Sequence, residues 1–378
     1  MAQKLNKKLV FFVGSLVLLL ALGGAVFFAL RFKYDAERHI RQGDALMQEG
    51  DFKKAADAYG RAVAKKKTNI AYLEKFQSAI VKITPETEND ARERYQQYLG
   101  VLASIARASR DDTARWRDYL GAFREQSEAF DNSQTWKAFS DRCDDMLQTV
   151  AEDGLNNALA RLYRGYAGFR RIDSLNESER AAVVADIEAG LKAKELTPEE
   201  RDIGVGSLAR LAVRERAIAS SAGRSDRVEQ TQEAMVKALE RAATECPDGL
   251  RTAIANCERA LFEAQGKAKD PQVTATMERL GQIASKWSDG IALLEVGNVM
   301  LRGGSMGLEE AQDMLGQYAQ RNPQAYMHRR AYAAMLRGVD TPTARRELQA
   351  IIAAPQRVRI RPLHVRKKAF GLFCHAIL

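Results

Sequence analysis

The chain has 378 residues, 46% of them hydrophobic, with only eight prolines, enough for two or three ordinary domains or one long solenoid with a substantial core. Ala, Leu, Arg and Glu dominate, which favours helix, and no Val/Ile/Thr alternation argues for a sheet. The net charge of +9 is confined to the two ends, Lys4, Lys7 and Lys8 before the first apolar run and Arg357, Arg359, Arg361, Arg366, Lys367 and Lys368 in an acid-free tail. The body between them is neutral overall, so no broad phosphate-binding face, and no nucleic acid partner, is expected.

A short basic tail, residues 1–8, precedes Leu9–Leu30, an apolar run without a charged residue. As a helix that run extends about 33 Å, the thickness of a bilayer's hydrocarbon core, and it is read as a transmembrane helix. A cleaved signal peptide is the rival reading, since Gly23 and Ala25 offer a small-x-small site; the apolar residues Val26 to Leu30 continue beyond it and favour an uncleaved anchor. Arg31, Lys33, Arg38 and Arg41 balance the N-terminal lysines, so flanking charge hardly orients the span. The short tail and the Ala/Arg-rich composition lead to the expectation of a bacterial inner (cytoplasmic) membrane, the tail inside and the body extracytoplasmic.

After the span, Gly43, Leu46 and Met47 have the spacing of one helix face. Gly50-Asp51 marks a turn, and Phe52, Ala55, Ala56, Tyr59, Ala62 and Val63 form a second face. Two short antiparallel helices are predicted, with Gly43, Ala55 and Ala62 allowing close approach. Further pairs are expected at 70–101, at 112–130 with 134–151, and at 155–171 with 178–194. Two more follow at 198–216 with 226–244 and at 250–266 with 271–286. Thr84-Pro85, Pro198 and Pro271 mark helix boundaries. Trp116, Tyr119, Leu120 and Phe123 are expected to face Trp136, Phe139, Cys143 and Leu147. A seventh unit is read from Leu293, Val296, Gly297 and Met300 with Ala311, Leu315, Tyr318 and Pro323. An eighth is read from Met327, Ala331 and Ala334 with Ala344, Leu348 and Ile351.

The placement of Gly43, Gly50-Asp51-Phe52, Ala55, Tyr59 and Ala62 resembles the tetratricopeptide repeat family, as does that of Gly297, Ala311 and Pro323 near the other end. The resemblance implies an all-α solenoid over residues 35–355, because one hairpin cannot bury its own apolar face and at least three must stack. Residues 356–378 are read as a basic, apolar capping helix, or as a truncated or altered end. The resemblance also implies a concave groove that takes proteins or extended peptides, and no cofactor. Of the positions that clamp a C-terminal carboxylate in such groove binders, Asn298 matches one while Leu294 occupies the other. Asn298, Arg302, His328 and Tyr332 are therefore read as a milder groove lining.

Chemistry is sparse. Gly204-Val-Gly206-Ser-Leu-Ala209 spells a dinucleotide fingerprint but sits in a predicted helix with no strand before it. His39, His328, His364 and His375 lack metal-ligand spacing, and the four cysteines read as small core residues. One stretch, Leu162 to Arg171, interleaves aromatics with arginines. Tyr163, Arg164, Arg170 and Arg171 are candidates for holding an acidic or C-terminal peptide. The alternative is that the aromatics are core and the arginines extend to water. With no catalytic set and no metal, the expected function is a membrane-anchored scaffold or adaptor in the assembly or chaperoning of envelope proteins. A structural spacer or oligomerisation arm is the second reading, and a hydrolase of unrecognised type the third.

Overall fold

The computed structural model describes residues 7–84, 88–130, 132–223, 225–267, 270–286, 295–297 and 299–300; at 7–14, 25–35, 88–89, 91–92, 129–130 and 225 it describes the backbone alone. Every regular element among them is helical. In chain order they are α1 (Lys7–Glu49), α2 (Phe52–Lys65), α3 (Ile70–Lys82), α4 (Glu88–Ala108), α5 (Thr113–Phe130) and α6 (Ser133–Leu147). Then come α7 (Leu155–Phe169), a 3-10 turn at Ile172–Ser174, α8 (Glu177–Leu191), α9 (Pro198–Ser221), α10 (Ser225–Glu245), α11 (Leu250–Glu263) and α12 (Pro271–Ala284). Residues adjacent in sequence pack as hairpins, α1 on α2, α7 on α8, α9 on α10 and α11 on α12. Helices α5 and α6 also meet, and α4 and α9 run a turn or more beyond their predicted ends.

The boundaries follow local chemistry. Gly50, at φ +79°, takes the left-handed turn that an L side chain resists, and Asp51 then caps α2 by accepting from the Lys54 amide at 3.1 Å. Asn69, Asn132 and Asp270 cap α3, α6 and α12 in the same way. Asn176 with Glu179, and Thr197 with Glu200, form reciprocal capping boxes, the second followed by Pro198 in the first helical turn.

The chain divides into two units, the described parts of Met1–Ile83 with Gly100–Ala108 and of Thr84–Leu99 with Ser109–Leu378. In the first, Ala36, Ala55, Tyr59, Ala62, Leu73 and Ile80 are buried together with Leu102, Ile105 and Ala106. Gly43 lies under the Tyr59 ring so closely that a Cβ there would collide with it. The Tyr59 hydroxyl donates to Asp44 Oδ1 at 2.7 Å, and Lys75 Nζ donates to the same carboxylate at 2.5 Å and 2.7 Å. One carboxylate of α1 therefore ties α2 and α3 to it. Burial pushes the Asp44 carboxyl up, but the hydrogen bonds from Lys75 and Tyr59 outweigh it and hold the group below its usual range.

In the second unit Trp116, Leu120, Trp136, Phe139, Cys143, Leu159, Leu162 and Tyr166 are buried, and the core continues through Leu250, Ile254, Cys257, Met277, Leu280 and Val296. Trp136 meets the Tyr166 ring edge-on at 5.4 Å, so α6 packs on the following hairpin as well as on α5. Leu147, expected in this core, is half-buried and Met146 takes the inner position, one residue earlier on the turn. Cys143, Cys246 and Cys257 are free and buried, as small core residues should be.

The apolar run and the first helix of the first repeat are continuous: α1 is one helix from Lys7 to Glu49, with no Gly-Pro or Asn-rich turn between the two stretches. No helix, searched over the described residues, is long and apolar enough to cross a membrane. Within Leu9–Leu30, side chains are described only for residues 15–24; there Leu16, Val17, Leu18, Leu19, Leu20 and Leu22 are 51% to 69% exposed. Of the repeat-motif positions, Gly43 lies on α1, Gly50 in the turn after it, and Ala55, Tyr59 and Ala62 are buried on α2. Gly297 is buried on a helical turn, and Ala311 and Pro323 lie outside the described residues.

Candidate functional site

The first helix of each hairpin in the second unit, α5, α7, α9 and α11, carries charged side chains that meet across helices. On α5, Arg117 grips Glu200 of α9 with two parallel bonds, Nε to Oε1 at 2.7 Å and Nη2 to Oε2 at 2.9 Å. Glu200 is only 4% exposed because it also closes the α9 capping box, accepting from the Thr197 amide at 2.8 Å. One turn pair further along α5, Arg124 donates to Glu199 at 2.7 Å. The Glu200 hydrogen bonds raise the Arg117 guanidinium above its ordinary value.

Deeper in, Glu128 Oε1 accepts from the Tyr166 hydroxyl of α7 at 2.9 Å and from Arg251 Nη2 of α11 at 3.3 Å. The Glu128 and Arg251 side chains are 6% and 3% exposed, and Arg251 also stacks over the Tyr166 ring at 5.6 Å. Burial, then the Glu128 charge, pushes the Tyr166 hydroxyl up, so it stays a donor at neutral pH. Toward the end of the described chain Arg210 of α9 forks onto Glu258 of α11 at 3.0 Å and 3.1 Å and reaches Glu295 at 3.1 Å. Glu295 also pairs with Arg170. The result is a seam of alternating arginine and carboxylate running over four helices. A buried pair of this kind need not stabilise relative to an apolar contact, but breaking one side leaves an uncompensated charge costing about 3–5 kcal/mol.

Of the candidates from the sequence, Arg170 enters this seam and lies over the Trp136 ring at 5.3 Å. Arg164 instead lies between α6 and α8, donating to Asp186 twice and to Asp144 once, each at 2.6 Å. The Asp186 bonds come first in holding its guanidinium above the ordinary value. Tyr163 is buried, and burial pushes its hydroxyl up; Arg171 is half-buried. Asn298 and Arg302, His328 and Tyr332 fall outside the described residues. Arg164 and Arg170 therefore meet different partners, and Tyr163 belongs to the core.

The Gly204-Val-Gly206 run is the middle of α9, where the glycines serve packing. A Cβ on Gly206 would meet Arg251 Cβ at 2.6 Å and its carbonyl carbon at 2.9 Å, so α11 rests directly on α9. Asp202, fully buried one turn earlier, receives the start of α11: Oδ2 accepts from the Arg251 amide at 2.9 Å, and Oδ1 from the Thr252 amide at 3.1 Å and hydroxyl at 3.0 Å. It acts as an N-cap supplied by another helix. Sequence reading missed Asp202, Glu128, Arg117 and Arg210; the only signal was their helical spacing from buried neighbours. Among the described residues no group of three or more His, Cys, Asp or Glu is placed to hold a metal ion. A seam of paired charges can exchange partners with a bound segment where it is open, at Arg117 (31% exposed) and Glu199 (42% exposed).

No family model matches the chain, and no curated protein matches it by sequence. Among solved structures it is similar to the crystal structure of yeast Tom70, with TM-score 0.28, 10% identity, 91% of this chain and 96% of that one covered. It is also similar to the TPR domain of P58(IPK), with TM-score 0.21, 13% identity, 90% of this chain and 99% of that one covered. At those scores the fold is described by its own helix order and packing.

Proposed function

We propose that this chain is a membrane-anchored helical-repeat adaptor that binds a partner protein along α5, α7, α9 and α11 and serves assembly or chaperoning in a bacterial envelope. The observation that carries the binding reading is the seam itself, a polar track on the first helices of consecutive hairpins with Arg117 and Glu199 accessible at its open end. An extended acidic segment would be held there by bidentate arginine contacts. A photo-crosslinking residue at Glu199 should trap a discrete partner in cells, whereas the same residue at Lys137, exposed on α6, should not. Equal adducts at both positions, or none at either, would remove the seam from consideration.

The anchor reading draws on the exposed Leu16–Leu22 side chains, which point in every direction around α1 and suit lipid better than water. Leaving out residues 1–30 should move the chain from carbonate-washed membranes to the supernatant. Protease added to spheroplasts should digest the repeats if they face outward. Full protection until lysis would reverse the orientation.

A spacer or oligomerisation arm is the second reading, and one observation favours it: most seam charges are already satisfied by each other. Under that reading the Glu199 probe traps only further copies of this chain or a fixed complex subunit.

A further inference from the structure

The hairpin of α1 and α2 returns a cluster of lysines toward the end of the apolar run. The chain reverses at Gly50-Asp51, and Gly43 lies against Tyr59, so positions equidistant from that turn sit level with each other. By this register Lys66 and Lys67, at the close of α2, stand level with residues 34–36 of α1. The apolar run ends at Leu30 and α1 does not break before Glu49. At 1.5 Å per residue, the lysines lie only about 6–9 Å along the helix axis beyond the run. The interfacial layer of a bilayer is about 5–8 Å deep on each side, and a lysine stem adds several more ångströms of reach.

Resting on the anchor reading above, we propose that the α2–α3 turn, Lys65-Lys66-Lys67, is a contact surface for the anionic phospholipid headgroups of the bilayer that holds α1. Lys67 is exposed, and Lys65 and Lys66 are half-buried. Lys66 lies over the Tyr72 ring at 5.7 Å, an arrangement that keeps its ammonium at the turn. Asn69 supplies the cap of α3, so the turn itself has a fixed geometry. From Ala58 to Tyr72 the charged residues, Arg61, Lys65, Lys66 and Lys67, are all basic, while Asp35 and Glu37 of α1 stand near the same level. Lysines this close to a negative surface fall within the Debye length of about 8 Å and gain from its potential. The opposite end of the same hairpin provides the contrast. Lys53 and Lys54 are exposed beside Gly50-Asp51, about 20 Å further from the bilayer and beyond the reach of that potential.

The test uses the full chain in lipid nanodiscs, one set of phosphatidylcholine alone and one with about a third phosphatidylglycerol. A water-soluble amine-acetylating reagent is applied, and each lysine is read by mass spectrometry. Labelling of Lys65, Lys66 and Lys67 should fall at least threefold in the anionic discs, with Lys53 and Lys54 unchanged and the difference erased by 1 M salt. Equal labelling of the turn in both lipids, in a chain that co-purifies with the discs, overturns the headgroup contact and leaves the anchor intact. A chain that fails to enter discs of either kind overturns the anchor and this contact with it. A uniform fall at all five lysines would mean general repulsion of reagent and would also overturn the proposal.

Discussion

Asp44 shows how much of one hairpin can hang on a single carboxylate. It receives Tyr59 and Lys75 together, and those bonds keep it ionised below its ordinary value of 3.8. A carboxyl with a lowered folded pKa contributes stability that is complete above the unfolded value and is lost as pH falls through the folded one. Acid should therefore loosen α1 to α3 below about pH 4, and Asp44→Asn should flatten that limb of an acid titration followed by hydrogen exchange. An unchanged acid limb in the variant would place the dependence elsewhere. Asp202 is the second such residue, buried and accepting three bonds from the start of α11. Asp202→Ala leaves two backbone amides without partners, at about 1–3 kcal/mol each, and should lower the urea midpoint of the full chain in detergent well below that of Asp202→Asn. Equal midpoints for wild type and the alanine variant would show that water replaces the carboxylate.

At the scale of helices, packing and propensity pull in opposite directions in α9. Alanine is about 1 kcal/mol better than glycine inside a helix, yet at Gly206 its Cβ would strike Arg251. Overpacking costs about 1–3 kcal/mol, so Gly206→Ala should destabilise on balance. Gly121→Ala in α5, where nothing lies within 4 Å, should instead stabilise by about 0.5–1 kcal/mol. Thermal melts of the pair, moving in opposite directions, check both. Helix boundaries were legible in the sequence where Gly50-Asp51, Pro198 and Pro271 act within a few residues; the caps at Asn176 and Thr197 were not read there. The seam was not, because Arg124 and Glu199 are 75 residues apart and Glu128 and Arg251 are 123 apart. Nothing local distinguishes Arg170, which joins the seam, from Arg164, which braces α6 and α8. The glycines of α9 misled in a similar way, since close packing and phosphate approach both call for the same missing side chain.

At the scale of the whole second unit, neighbouring hairpins supply each other's cores, and buried residues between Leu250 and Met300 share one apolar cluster. Removing α11 and α12 would accordingly expose Gly206 and the Asp202 carboxylate together, so a shortened chain should lose order well back into α9. The unbroken course of α1 has a different consequence. On the proposed anchor, a helix without a break would fix azimuth as well as height: the side of the first hairpin facing a neighbour in the bilayer plane would be set by the phase of residues 30–36. Each residue added there rotates everything beyond it by about 100°. Two inserted alanines after Tyr34 would point the hairpin almost backwards, whereas seven would restore its bearing to within about 20° while lifting it about 10 Å. If partners are met side-on within the membrane plane, crosslinking yield should follow that rotation, lost at two and regained at seven; a yield that declines steadily with insert length would mean that height alone matters.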